Sequence, residues 1–583
     1  MADAKTQKLR RRFAGSFQND TPAATARDRL SGALRSLRRG GDARPEFVLI
    51  PQNLRTSDPG FFAELAAGTM GLAGATVRIE GTSPFRVTPP NDAWRSALLG
   101  FGWLNDIRGA QSPEAQGLAQ ETVEQWIVEE RPFQSDDWAT DVAARRMISW
   151  LTNAGMLAEG VPAGSYDRFA QSCDLHMKHL LHAAPNTVGY AKLVSYMALV
   201  MGCLCMTGQE RRFKPAMLGL QRELENQILP CGGHVSRNPG VLVEVMLDLL
   251  PLKQCFIARD IELPPHLSAA LGRISPMLRH LQLGDRQLCR FNGMGATEMD
   301  KLATVLSYDV GETNQVQVSE LSSASRYIRL VRRSAIVLMD GGVPPAGDLS
   351  CDAGAGTLAF EMSSGDALLV VNAGAPGPAD QSWRVQSRGT AAHSALMLND
   401  TASSRLKPAG RGGPKAPLLL LGPTQIDTKI VEPGDGTIEV HGSHNGYLDR
   451  FGLAHSRVLA LSAQGDRLTG TDRVFQSQRF TMASNADRTF SIHFHLHPQT
   501  RARFGADPGT AELELPNGET WLFTSRGAKL GLEDSLFFAN FSGPRRTVQV
   551  VLRGQVRQDI QVHWTIARRS NLPKPELPPT PQL

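Results

Sequence analysis

Tyr190 follows Asn186 by four residues in HAAPNTVGY, one turn along the same face of a helix. His234 stands behind two glycines and ahead of Arg237 in GGHVSRNP. Phenol and imidazole are groups that give and take protons in catalysis. A Gly-Gly-His loop between helices suits a cleft rim, where His234 either acts or only braces the turn. Tyr190 has two readings as well, a cleft acid or base and a core filler. Asn186 fits an N-cap, opening a helix at Thr187. His493, His495 and His497 alternate in HFHLHP. Residues i and i+2 of a strand share a face, so three imidazoles could meet a metal there, although most such stripes are packed or exposed sheet faces. His444 and Tyr447 in SHNGY, with His455 and Arg457 in AHSR, read as adjacent strands of one hairpin.

Two kinds of element must position these groups. From about residue 23 to 312 apolar residues recur three and four apart, as in 137–157, 167–183, 188–208 and 242–260. Several of these helices are apolar on most faces and belong inside something large. From about 313 to 570 the pattern changes to short Val-, Ile-, Thr- and Leu-rich segments, among them SAIVLMD, TLAFEMS, ALLVVNAG, RVLALSA and TVQVVLR. Gly, Asp, Asn and Pro punctuate them, the signature of an antiparallel sandwich. Helices first and strands second predict two domains of different class. Residues 1–22 read as a basic, flexible arm and 571–583 as a Pro-rich tail.

With 583 residues and 41% hydrophobic side chains, burying a large core is no obstacle. A net charge of +5 from 62 basic and 57 acidic residues is too mild and too evenly spread for a nucleic-acid binder. Seven cysteines without a CxxC pair argue against a zinc ribbon or a disulfide framework, and predict small buried hydrophobes in a reducing compartment. The start, MADAKTQKLRRRF, is basic with no apolar stretch or cleavage site behind it, so it is not a secretory signal. The longest apolar run, Leu193 to Met206, is too short to cross a bilayer, so no transmembrane segment is expected. A soluble, cytoplasmic protein is the expectation.

The strings WATDVAARRMISW, GGHVSRNP, AGAGTLAFEMSSG, VVNAG, TAAHSALMLND, SHNGY with GLAHSRVL, and FHLHP, in this order on a helical-then-β layout, resemble the heparinase II/III-like superfamily of polysaccharide lyases. The resemblance covers about residues 45–568. It implies an α+β multidomain fold, an N-terminal incomplete (α/α) toroid followed by a C-terminal antiparallel β-sandwich. It also implies a uronic-acid polysaccharide or oligosaccharide in the cleft between them, with a periplasmic location as the alternative to the cytoplasm. The implied chemistry is β-elimination: the C5 proton beside the uronate carboxylate is removed and the C4 glycosidic oxygen leaves. An Asn or His neutralises the carboxylate, and Tyr and His serve as base and acid. On this resemblance Asn186, Tyr190 and His234 form the expected catalytic set. Trp103, Trp138, Arg237, His444 and Tyr447 are the expected substrate contacts, with core packing the better reading for Trp150.

Departures from the family pattern are plain. By position Ser236 replaces a Glu, Val241 the catalytic Tyr and Leu242 its neighbouring His. The family often holds a structural zinc through His, Asp and His. Here those positions read Gly354-Ala355-Gly356, Asn372 and His393. One imidazole does not hold a zinc, so His393 stands as a lone remnant and no cofactor is expected. Two functions follow: a lyase with substituted catalytic positions, or a catalytically inactive carbohydrate-binding or polysaccharide-assembly protein on the same scaffold. A hydrolase drawing on Asp106, Asp136, Asp137 or Asp141 is a remote third, since no pattern pairs two carboxylates across one bond. The oligomeric state is not legible.

Overall fold

The computed structural model describes residues 45–79, 83–129, 136–308, 318–409, 418–476, 488–556 and 559–569. The expected basic arm, the expected boundary near 312 and the Pro-rich tail lie outside these residues. The principal helices of the first half are α1 (Asp92–Gly100), α2 (Pro113–Glu129), α3 (Thr140–Thr152), α4 (Ala163–Ala183), α5 (Gly189–Cys205), α6 (Glu210–Gln227), α7 (Pro239–Ala258), α8 (Pro265–His280) and α9 (Met299–Ser307). Helix α5 is buried on nearly every face and packs against α3, α4, α6 and α7. Its closeness to α6 depends on a missing side chain. A Cβ at Gly219 would lie 2.0 Å from the Tyr196 ring.

The helical half also contains a two-stranded hairpin, β1 (Thr69–Leu72) and β2 (Ala75–Arg78), where the sequence pattern read only helix. Its turn residues Ala73 and Gly74 both have positive φ (48° and 76°), the geometry of a tight hairpin turn. Short Val/Thr segments of this length are invisible to a helical-period reading.

The second half is a sandwich of two antiparallel sheets. One runs β10 (Ile426–Val431), β11 (Ile438–His444), β12 (Leu453–Leu461), β13 (Arg467–Gln476), β20 (Ile560–Arg568), β17 (Thr520–Arg526), β16 (Thr510–Glu514), β15 (Arg501–Phe504). The other runs β18 (Lys529–Phe537), β19 (Arg545–Val556), β14 (Arg488–Leu496), β6 (Ala367–Val371), β5 (Phe360–Ser364), β4 (Ala335–Asp340), β3 (Tyr327–Arg332), with β7 (Leu396–Leu398) on β14. Between them Phe360 stacks on Trp564 at 5.6 Å and 7°, and Phe494 and Phe523 meet the same indole edge-on and face-on. The architecture is an (α/α) toroid followed by a β-sandwich.

The two halves share an apolar core: the toroid's buried cluster extends to Leu338, Leu368, Val371 and Phe537 of the sandwich. Polar pins cross the same seam. Arg290 pairs with Glu361, both fully buried, and Tyr327 receives Asn292 Nδ2 at 2.8 Å.

Candidate functional site

Helix α7 begins with Asn238 as N-cap, its Oδ1 accepting from Gly240 N–H at 2.9 Å, and Pro239 at the first helical position. Over its first three turns the only polar side chains of α7 are Glu244 and Asp248, which stand four apart and share a face. Cations converge on that face from three other elements. Arg55 reaches Asp248 at 2.8 Å and Glu244 at 2.9 Å. Arg145 of α3 makes a two-pronged pair with Asp248, both contacts 2.9 Å. Lys301 of α9 lies 3.4 Å from Glu244 and 2.6 Å from Glu298. Arg145 also donates to Tyr190 Oη at 2.8 Å.

Of this cluster Tyr190, Glu244, Glu298 and Lys301 wall a cavity of about 260 Å³, lined also by Asn238, Val241 and Met294 among others. The sandwich closes on the same place. Gly293 (φ +90°) is pressed so closely to Asp352 that a Cβ there would lie 2.7 Å from the Asp352 Cβ. Gly189 (φ +61°) faces Leu349 in the same way, at 3.2 Å. The cavity therefore sits in the cleft between toroid and sandwich.

Its electrostatics are settled by pairing. Burial pushes the Glu244 carboxyl up, but Arg55, Lys301 and Arg145 outweigh it and hold it down to about 2. Asp248 behaves likewise and ends below the ordinary carboxylate range. Tyr190 goes the other way: burial, with Asp248 and Glu244 nearby, raises its phenol despite the Arg145 cation.

The expected catalytic set does not assemble here. Tyr190 is in the cleft wall. Asn186 is exposed at the end of a short 3-10 turn, and α5 starts at Gly189 with Val188 as its cap residue, so Asn186 does not cap the helix. His234 is 2% exposed. Its Nδ1 accepts from Ser236 N–H at 3.1 Å, and its Nε2 meets Gln227 Oε1 at 3.0 Å, which fixes the Nε2–H tautomer. Burial lowers its pKa to about 3. It is a neutral, buried histidine with both ring nitrogens engaged.

The expected substrate contacts are also interior. Trp103 is 2% exposed, donates its indole N–H to Leu98 C=O at 2.9 Å and packs on Phe101. Trp138 is buried 4.4 Å from the His176 ring, with the Arg146 guanidinium over it. Trp150 is core, as its sequence reading favoured. Arg237 is buried against Asp340 and Ser325 C=O. Tyr447 is fully buried and donates to Leu396 C=O at 2.5 Å. His444 and His455 are direct cross-strand partners on β11 and β12, as the hairpin reading expected, but they face inward. His455 Nδ1 lies 3.1 Å from His444 Nε2, and its Nε2 donates to Asp472 at 2.8 Å. Asp472 also receives Arg457 and the Trp564 indole, at 2.8 and 2.9 Å.

At the family's zinc position the residues present do not fit a metal. His393 gives its Nδ1–H to Gly389 C=O at 2.8 Å. Its ring fills the space that side chains at 354 and 356 would need: a Cβ at Gly354 would lie 2.6 Å from Nε2 and one at Gly356 2.4 Å from Cδ2. Asn372 turns its Oδ1 to Ser394 N–H, and its remaining buried Nδ2 is a donor, which repels a cation. The histidine stripe is likewise engaged: His493 with Gln549 and Ser491, His495 with Ser535 and Ala391 C=O. Among the described residues no group of three or more His, Cys, Asp or Glu is placed to hold a metal.

Arg55, Glu244, Asp248 and Lys301 were not singled out from sequence. A signal existed for two of them: acids four apart within an apolar run of a helix. Arg55 carries none, because only the folded chain brings it to α7.

A toroid followed by a sandwich is the class of architecture the chain adopts. Residues 315–565 match the family described as "Heparinase II/III-like, C-terminal". Over that segment the chain resembles the heparinase II/III-like superfamily. It is 26% identical over 546 residues to the FtsZ-localized protein C of Caulobacter vibrioides (strain NA1000 / CB15N), covering 90% of this chain and 91% of that one. Its fold is that of heparinase III, at a TM-score of 0.70 with 12% identity over 97% of this chain and 92% of that chain. A heparan sulfate lyase HepC mutant from Pedobacter heparinus is similar at a TM-score of 0.57 and 12% identity, over 97% and 88%. No helix among the described residues is long and apolar enough to cross a membrane.

Proposed function

We propose that this chain is a non-catalytic, glycan-binding assembly protein on the heparinase II/III-like scaffold. One observation carries the reading: Glu244 and Tyr190, the acid and the phenol of the cavity wall, are both engaged by cations, and neither is poised to move a proton near neutral pH. Proton abstraction needs a base whose pKa lies near the working pH. Glu244, held near 2, is too weak a base, and it is ion-paired. The Tyr190 phenol is raised and stays protonated. Val241 stands where the family's tyrosine would be, and His234 is sealed in the core.

The name of the Caulobacter relative records localisation with FtsZ. Carried over to this chain, it fits an assembly role in the cytoplasm better than turnover of an external polymer.

The test is an ultraviolet assay of the purified full chain against alginate, heparan, chondroitin, hyaluronan and polyglucuronate, beside co-sedimentation with polymerised FtsZ. The expected result is no unsaturated uronate on any polymer and co-sedimentation with FtsZ. Unsaturated product that disappears in Tyr190→Phe would replace this reading with that of a lyase using Tyr190.

A further inference from the structure

Charge accounting around the cleft, together with one exposed indole, specifies the ligand further; the inference rests on the glycan-binding reading above. Among the described residues four cations stand at the cleft, and each is already answered. Arg55 and Arg145 are taken by Asp248 and Glu244, Lys301 by Glu244 and Glu298, and Arg384 by Asp352. Four cations therefore meet four carboxylates. In the two outermost pairs the acid is the more exposed partner. Glu298 is 51% exposed against 21% for Lys301, and Asp352 is 57% exposed against 44% for Arg384. The rim thus presents carboxylate oxygens, which accept from hydroxyls and repel anions. A uronate entering this cleft would need a cation that is not already neutralised.

The sandwich rim adds an apolar face. Trp383 is 39% exposed, with its ring backed by Phe538 at 5.7 Å and 38°. It precedes Arg384, whose partner Asp352 abuts Gly293 of the cavity wall. The segment Pro378–Trp383 also packs against α1 of the toroid, so it is braced on both sides. A backed, half-exposed indole suits the C–H face of a pyranose, and its backing limits the entropy lost on stacking. Beside the same Gly293, Asn238 spends its Oδ1 on the α7 cap and leaves its amide N–H groups as donors for a ring or acetamido oxygen.

We propose that the toroid–sandwich cleft binds an uncharged saccharide, stacked on Trp383 and hydrogen-bonded by Asn238, Glu298 and Asp352, in place of a uronate polymer.

The test is calorimetric titration of the full chain with two uncharged probes, an N-acetylglucosamine oligomer and a cello-oligosaccharide, and two charged ones, polyglucuronate and a heparan oligosaccharide. The expected result is saturable binding of at least one uncharged probe. Its affinity should change less than about 2-fold as salt rises from about 0.05 to 0.5 M, since no ion pair forms. Trp383→Ala should weaken that binding by about 10-fold and Trp383→Phe by less than about 3-fold, each with an unchanged melting temperature. Asn238→Asp should weaken it too, by removing donors. Binding of neither uncharged probe overturns the proposal. So does tighter, salt-sensitive binding of a charged probe, or wild-type affinity in a folded Trp383→Ala. Such tighter binding of a charged probe without unsaturated product would sink this proposal and leave the non-catalytic reading standing. Unsaturated product would sink that reading instead.

Discussion

Arg237 leaves the toroid at a positive φ of 60° and closes on Asp340 at the end of β4, with its guanidinium carbon 4.2 Å from the Tyr327 ring centroid. Both members of the pair are buried, and Asn292 satisfies the second Asp340 oxygen at 2.8 Å. Burial disfavours the Arg237 charge, but Asp340 beside it more than compensates. Asp340→Asn keeps the shape and removes the counter-charge. Removing one partner of a buried pair leaves the other uncompensated, so a loss of about 3–5 kcal/mol is expected in urea unfolding. A loss below about 1 kcal/mol would show that the seam is held by apolar contact alone.

Acid should destabilise the fold well before most carboxylates titrate. Burial holds His234 and His495 near 3 and His280 and His497 near 4, against 6.5 when free. Between those values the unfolded chain takes up protons that the folded chain refuses, so stability is full above about pH 6.5 and falls as pH drops toward 3. Melting temperature measured from pH 8 to 4 should be flat at first and then decline. His495→Asn should make the decline shallower, and an unchanged slope would clear His495 of any share in it.

Asp472 collects His455, Arg457 and the Trp564 indole between the sheets. Burial alone would raise its pKa, but Arg457 and His455 hold it far below the ordinary range. Asp472→Asn leaves a buried guanidinium without a counter-ion, and a cost of about 3–5 kcal/mol is expected. Arg457→Met with Asp472→Leu should recover much of that loss, because both buried charges go together. Failure of the double variant to exceed the single in thermal denaturation would contradict this account.

Gly356→Ala should destabilise by about 1–3 kcal/mol, since its Cβ would lie 2.4 Å from His393 Cδ2. Adding His393→Ala should relieve the clash. Differential scanning calorimetry of the two variants decides it: if Gly356→Ala melts like the wild type, the His393 ring is not wedged there.

Much of the architecture was legible. The change from a helical to a two-residue period told toroid from sandwich, and α3, α4, α5 and α7 fall within a few residues of their apolar runs. The hairpin at 69–78 was missed because four-residue strands carry too little period. The site was far less legible. His234 sits in a motif that reads as a cleft rim, yet Gln227, seven residues earlier, closes over it. Nothing in a linear string announces that burial. Asp472 had a faint signal, being in register with Leu468, Gly470 and Val474 on one face of β13, a carboxylate in an apolar row. Its importance comes from the β12–β13 pairing that sets Arg457 opposite it. Arg55 and Lys301 meet α7 only through tertiary structure.

The His393 ring occupying the volume beside Gly354 and Gly356 also bears on descent. A ligating side chain restored at either glycine would meet an imidazole already in its place, before any metal could repay the crowding. The intermediate with one substitution is worse than both ends of the path. This packing therefore resists any single substitution toward a metal-bearing sandwich, since a ligand placed at Gly354 or Gly356 would require the His393 ring to move with it.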